Sequence, residues 1–232
     1  MRPIAGISAI AIAALFSVAA VAQPESADWK ICTGDSDRDS VIITSCTAVV
    51  SSRNQPADHK AIAYNNLCMA YNNQGNHNRA IRECGEAIKI NPDYVEAFVR
   101  RGHAYFNNND FDHAILDYDS AISLGSKAAT TLVQRAAAYH RKGDQAHAIA
   151  DLDAAIRIDP NDPTPFYIRG AAYQAVGMPD RAIQDFTGAL RLAPNFAAVR
   201  YRRGIVRTQM GDVAGGETDI REARRIDPSL GK

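Results

Sequence analysis

From residue 61 onward the chain repeats one pattern of apolar and polar positions every 34 residues. The third copy, Ala129 to Asp162, shows it plainly. Leu132, Arg135, Ala136 and Tyr139 fall at i, i+3, i+4 and i+7, which puts them on one face of a helix. Gly143-Asp144 interrupts the pattern, because glycine frees the backbone to turn. Ala148, Ile149, Leu152, Ala155 and Ile156 form a second helical face. Pro160 stops it, since proline lacks the backbone donor that a continuing helix needs. Each copy therefore predicts a helix–turn–helix hairpin, and the copies run 61–94, 95–128, 129–162, 163–196 and 197–230. A fixed period of this length marks a solenoid in which each hairpin buries its apolar face against the next.

Numbering places within a copy from one, place eight is small: Cys68, Gly102, Ala136, Gly170, Gly204. Place twenty holds Ala80, Ala114, Ala148, Ala182 and then Gly216, and place twenty-seven is alanine throughout, from Ala87 to Ala223. Place eleven is Tyr71, Tyr105, Tyr139, Tyr173 and then Arg207. Small residues at eight, twenty and twenty-seven let the paired helices approach. With these places the chain resembles a tetratricopeptide repeat (TPR) protein. The resemblance implies an all-α fold, an α-solenoid wound as a right-handed superhelix of stacked hairpins. It also implies a concave groove, lined by the first helices, that binds an extended or helical peptide. The departures are local: Ser126 stands at the usual proline, Asn109 at the turn glycine, and the fifth copy carries Arg207 and Gly216.

The segments flanking the repeats change the picture in three ways. Residues 1–22 read as a secretory signal peptide, with Arg2 ahead of the apolar Ile4–Val21 and a cleavage site after Ala20-Val21-Ala22; a membrane anchor is the alternative. Residues 23–60 read as an imperfect hairpin capping the first repeat, with a short helix around Trp29, a second over Ser40–Ser51 and a loop from Ser52 to Asp58. Asp35, Asp37 and Asp39 alternate like the start of a calcium loop. The sixth and twelfth positions hold Ser40 and Cys46 where that loop needs glycine and glutamate, so the better reading is an acidic turn with Asp39 or Ser40 capping the next helix. At the far end, places twenty-one and twenty-eight change from apolar residues to Glu217 and Arg224, as expected of a terminal hairpin with a polar outer face.

The four cysteines, Cys32, Cys46, Cys68 and Cys84, all lie ahead of the second repeat. An even count in an exported chain suggests disulfides, with three possible pairings. Cys68 and Cys84 sit at places eight and twenty-four, on facing helices of one hairpin, which favours Cys68–Cys84 and leaves Cys32–Cys46; buried free thiols are the alternative. Twenty-six basic and 26 acidic residues balance, so the chain lacks the basic excess of a nucleic-acid binder. Arginine at place seven (Arg101, Arg135, Arg169, Arg203) accompanies aspartate at place twenty-three (Asp117, Asp151, Asp185, Asp219). Ion pairs within each hairpin account for the match better than pairing across neighbouring repeats, and better than a row of anion sites.

No glycine-rich phosphate loop, HExxH or GxSxG motif occurs, so the chain reads as non-enzymatic, without a cofactor. His103 and His140 lack a partner ligand for a metal, and His113 and His147 read as solvated. At about 100° per residue, places two, five, six, nine, twelve and thirteen turn away from the seam. They supply Asn65, Asn66, Asn72, Arg100, His103, Phe106, Gln134, His140, Arg141, Tyr167, Gln174, Tyr201 and Arg202 as candidate partner-binding residues, none at a core place. Arg100, Arg141 and Arg202 against Glu96 make the face mildly basic, which suits a mildly acidic segment. The lysines of a carboxylate clamp are missing, with Asn65, Met69 and Arg100 at the matching places. The resulting expectation is an interaction module or scaffold of the bacterial cell envelope, periplasmic or secreted, touching membrane only through an uncleaved signal. A carbohydrate or cell-wall binder serving an envelope hydrolase is the alternative.

Overall fold

The computed structural model describes residues 26–34, 38–126 and 128–231. The signal segment, Asp35 and Asp37 lie outside them. The described residues form twelve helices and no strand: α1 Ala27–Thr33, α2 Asp39–Ser51, α3 Ala57–Asn73, α4 His77–Ile90, α5 Val95–Asn107, α6 Phe111–Ser123, α7 Ala129–Lys142, α8 Gln145–Ile158, α9 Pro163–Ala175, α10 Pro179–Leu192, α11 Ala197–Gln209 and α12 Val213–Ile226. From α3 on they pair as hairpins, each second helix packs on the next first helix, and α3, α5, α7 and α9 touch in succession. The product is an α-solenoid. The α1–α2 pair packs against α3 in the same way.

Local chemistry sets the helix ends. Asn76, Asp110, Asp144 and Asp212 share place sixteen, and each accepts a backbone N–H three residues on, capping α4, α6, α8 and α12. Repeat four has Met178 there, and Pro179 at the first helical position removes one of the donors that would need a cap. Place fifteen is left-handed in every repeat. Asn109 takes φ 60° where the others use glycine, and asparagine is the side chain that best tolerates it. Helix α6 ends without proline because Gly125, at φ 98°, reverses the chain and Ser126 donates to Ala121. Two boundaries differ from the sequence reading. Helix α3 starts at Ala57, so the preceding loop spans only 52–56: nothing in Ala57–Lys60 breaks a helix, and Asp58 suits its first turn. Asp39 does not cap α2 but begins it, accepting from Asn73 Nδ2 at 3.1 Å.

The hairpin seams rest on complementary volumes at places eight and twenty-four. A Cβ on Gly102 would lie 2.8 Å from the ring of Tyr118, and one on Gly170 would lie 2.7 Å from that of Phe186. Repeat three pairs Ala136 with Leu152, both buried, and repeat one closes the same gap with the Cys68–Cys84 disulfide. The Cys32–Cys46 disulfide joins α1 to α2. Tyr118 is so enclosed that burial pushes its phenol well above the ordinary range. The alanines at places twenty and twenty-seven are fully buried in every repeat that has them.

Each place-seven arginine grips its own hairpin's aspartate through two nitrogens, as in Arg101–Asp117 at 2.8 and 2.7 Å and Arg203–Asp219 at 2.8 Å for both. The pairing also crosses between neighbours. Arg135 reaches Asp119 at 2.6 Å, Arg169 reaches Asp153, and Arg203 donates to Thr187 at 3.1 Å. These partners all occupy place twenty-five of the preceding repeat. Arg135 and Arg169, each between two aspartates, are held protonated above the usual arginine range, chiefly by the hydrogen bonds they donate to Asp151 and Asp185. Asp117 is different: burial pushes its carboxyl up, and the bonds to Arg101 only partly offset that.

Candidate functional site

Seam chemistry decides which side chains are left for a partner. Every place-eleven tyrosine is covered by the place-nineteen residue of the second helix. Arg79 lies 4.1 Å over Tyr71 and Arg181 lies 5.5 Å over Tyr173, while His113 and His147 stack on Tyr105 and Tyr139 at 5.1 and 5.0 Å. The two histidines also hydrogen-bond the cap carboxylates Asp110 and Asp144 at 2.8 and 2.7 Å. They are exposed, yet they are lids on the tyrosines and not merely solvated. A tyrosine so covered offers no flat platform to a sugar.

The first helices present the remaining face. Its residues are not equivalent. Asn65 is only 2% exposed and donates to the Tyr94 hydroxyl at 3.3 Å, so it is buried and not on the open face. Place thirty-four explains this. Tyr94, Phe196 and Leu230 fold back beside the place-five residues of their own repeats, as in the 5.3 Å contact between Phe196 and Tyr167. Asn66 donates to the Cys32 carbonyl at 2.9 Å, and Asn72 Oδ1 accepts from His77 at 2.8 Å and Asn107 at 3.3 Å. The three asparagines are thus engaged. Arg100 is half-buried 3.9 Å from Glu96, with an Nε that meets no acceptor. Burial lowers the pKa of His103, helped by the nearby charge of His77.

From repeat two onward the predicted residues converge. His103, Phe106 and Gln134 bound a pocket of about 100 Å³. Phe106 continues into a cleft of about 300 Å³ with His140, Arg141, Tyr167 and Arg202. Tyr167 and Arg202 are shared with a third cleft of about 370 Å³, which adds Gln174, Tyr201 and Leu230. Gln134 and Gln174, which line the first and third of these clefts, each have a buried amide oxygen with no hydrogen-bond partner. Sequence reasoning missed the floor, made by Ala137, Ile168 and Ala171. Ala137 and Ala171 share place nine with His103, and that shared place was the available signal. It also placed Tyr167 wholly outside the core, whereas its ring packs on Phe186 and Phe196. Among the described residues, no group of three His, Cys, Asp or Glu side chains is arranged to hold a metal. No described helix is long and apolar enough to cross a membrane.

Comparison with known proteins agrees with this architecture. Sequence models described as tetratricopeptide repeats match residues 61–94, 95–124 and 169–230, and one described as a TPR repeat matches 137–177. No curated relative matches the sequence. Among solved structures, MamA is similar with a TM-score of 0.63 and 20% identity, over 72% of this chain and 92% of that one. YrrB, described as a TPR protein with an unusual peptide-binding site, gives 0.62 and 18% over 80% and 93%. PilF of Pseudomonas aeruginosa gives 0.66 and 19% over 73% and 77%. At such identities the likeness is one of fold.

Proposed function

Since the chain belongs to the tetratricopeptide repeat family, we propose that it is a non-enzymatic interaction module of the bacterial cell envelope. It holds a segment of a partner protein along the open face of its first helices. One observation carries the reading: three clefts on that face adjoin one another, sharing Phe106, Tyr167 and Arg202 among their walls. Aromatic and arginine side chains are the usual anchors of recognition, and repeat arrays present such extended surfaces to partners. The peptide-binding site reported for YrrB supports the same use of a similar fold. The exported location rests on the apolar N-terminal stretch and on two closed disulfides, which persist in oxidising compartments. The carbohydrate alternative loses its place-eleven platforms to the covering residues, and keeps only Tyr167 and Tyr201 on the open face.

The test is capture from envelope extract with the chain lacking residues 1–22. Its comparison is Arg141→Gln/Arg202→Gln against Arg157→Gln/Arg191→Gln, two exposed pairs that change net charge equally. The first double variant should lose the captured protein and the second should retain it. Retention by both would move recognition off this face.

A further inference from the structure

The open face changes character along its length. Its first asparagines are buried or bonded within the chain, whereas the floor beyond repeat two is apolar, with Ala137, Ile168 and Ala171. Two aromatic walls, Phe106 and Tyr167, stand over this floor. A guanidinium stands beside each wall: Arg141 lies 5.8 Å from the centre of Phe106 and 5.0 Å from that of Phe111, and Arg202 lies 5.8 Å from that of Tyr167. One neutral hydrogen bond holds each arginine, from Arg141 to Asn109 Oδ1 at 3.2 Å and from Arg202 to the Tyr167 hydroxyl at 3.1 Å. The seam arginines all grip aspartates; these two have no carboxylate partner among the described residues, and no described carboxylate lines their cleft.

We infer that the 300 Å³ cleft receives one large apolar side chain of the partner segment, with carboxylates flanking that side chain on both sides. The inference rests on the groove reading above and narrows it to a chemistry. The floor takes the apolar group out of water. Each guanidinium is oriented by ring contacts and by one hydrogen bond, and its remaining N–H groups are left for a carboxylate. A basic segment would set like charges together over an apolar floor, and a neutral one would leave both cations unmatched.

The probe is a fluorescein-labelled peptide, Glu-Glu-Ala-Trp-Ala-Glu-Glu, read by anisotropy against the chain lacking residues 1–22. Replacing its tryptophan by alanine, or all its glutamates by glutamine, should weaken binding at least tenfold. The Arg141→Gln/Arg202→Gln variant should bind the acidic peptide at least tenfold more weakly and the glutamine peptide unchanged. Both arginines are exposed, and unchanged circular dichroism checks that the array stays folded. Equal affinity for the acidic and glutamine peptides, no binding of either, or no loss in the double variant would overturn the inference. A random peptide library selected on the same protein separates the two levels. Selected peptides with the acid–apolar–acid pattern support the inference. Peptides of another pattern that need Tyr201 and Tyr167 leave the groove reading standing and overturn this one. Peptides indifferent to every substitution on the face overturn both.

Discussion

At the scale of single residues, the hairpins are specified by pairs that complement one another in volume and in charge. The volume pair makes a sharp prediction. Gly170→Ala drives a methyl into the Phe186 ring and should cost about 1–3 kcal/mol. Adding Phe186→Leu recreates the Ala136/Leu152 pair of repeat three and should recover most of that loss in a denaturant titration. Equal cost from the single and double variants would mean the pair is not coupled. The charge pair makes a second. Asp117→Ala leaves Arg101 without an acid, because Gly85 occupies the place where Asp119 and Asp153 serve the next two arginines. It should cost about 3 kcal/mol, as when a buried pair loses one partner. Asp151→Ala should cost less by up to about 1 kcal/mol, since Arg135 keeps the half-exposed Asp119. A larger loss for Asp151→Ala would contradict this account of the ladder. The within-hairpin pair was legible because places seven and twenty-three change together. The cross-repeat bonds were not, because place twenty-five runs Gly85, Asp119, Asp153, Thr187, Arg221 and shows no rule until the neighbouring helix is in position.

At the scale of elements, helix identity followed from periodicity, and turn glycines and prolines fixed most of the ends. What the pattern could not show were the ends set by what a segment lacks. Helix α3 gains a turn because Ala57–Lys60 contains no breaker, and α6 stops at Ser123, just ahead of Gly125, without a proline. The stapled hairpin α3–α4 offers the test at this scale. If the Cys68–Cys84 bridge fills the gap that Ala136 and Leu152 fill in repeat three, Cys68→Ala/Cys84→Leu should be more stable than Cys68→Ala/Cys84→Ala by about 2 kcal/mol, the cost of an unfilled leucine site. Indistinguishable unfolding curves for the two would show that cross-linking alone, and not packing, matters there. The Cys32–Cys46 bridge spans 14 residues and should stabilise α1–α2 by about 3 kcal/mol in the chain-entropy picture.

At the scale of the whole molecule, the array places its recurring ion pairs and small–large pairs in the seams, and the proposed recognition surface is the open face of the first helices. The sequence proposes that face through places two to thirteen of the first helices. It did not reveal that the N-terminal asparagines are consumed, since Asn65 is enclosed by the distant Tyr94 and Asn66 is bonded to the carbonyl of Cys32. Export belongs to this scale too: Edman sequencing of the protein from a fractionated culture should begin at Gln23, and a Met1 start in the membrane pellet would replace cleavage with anchoring. The central claim is that a partner lies along the first helices. Its most direct test is site-specific photo-cross-linking in the producing cells, with a benzophenone side chain at Gln174 on the open face or at exposed Gln184 on α10. The account predicts a protein adduct from position 174 and none from 184; adducts from 184 with 174 silent would contradict it.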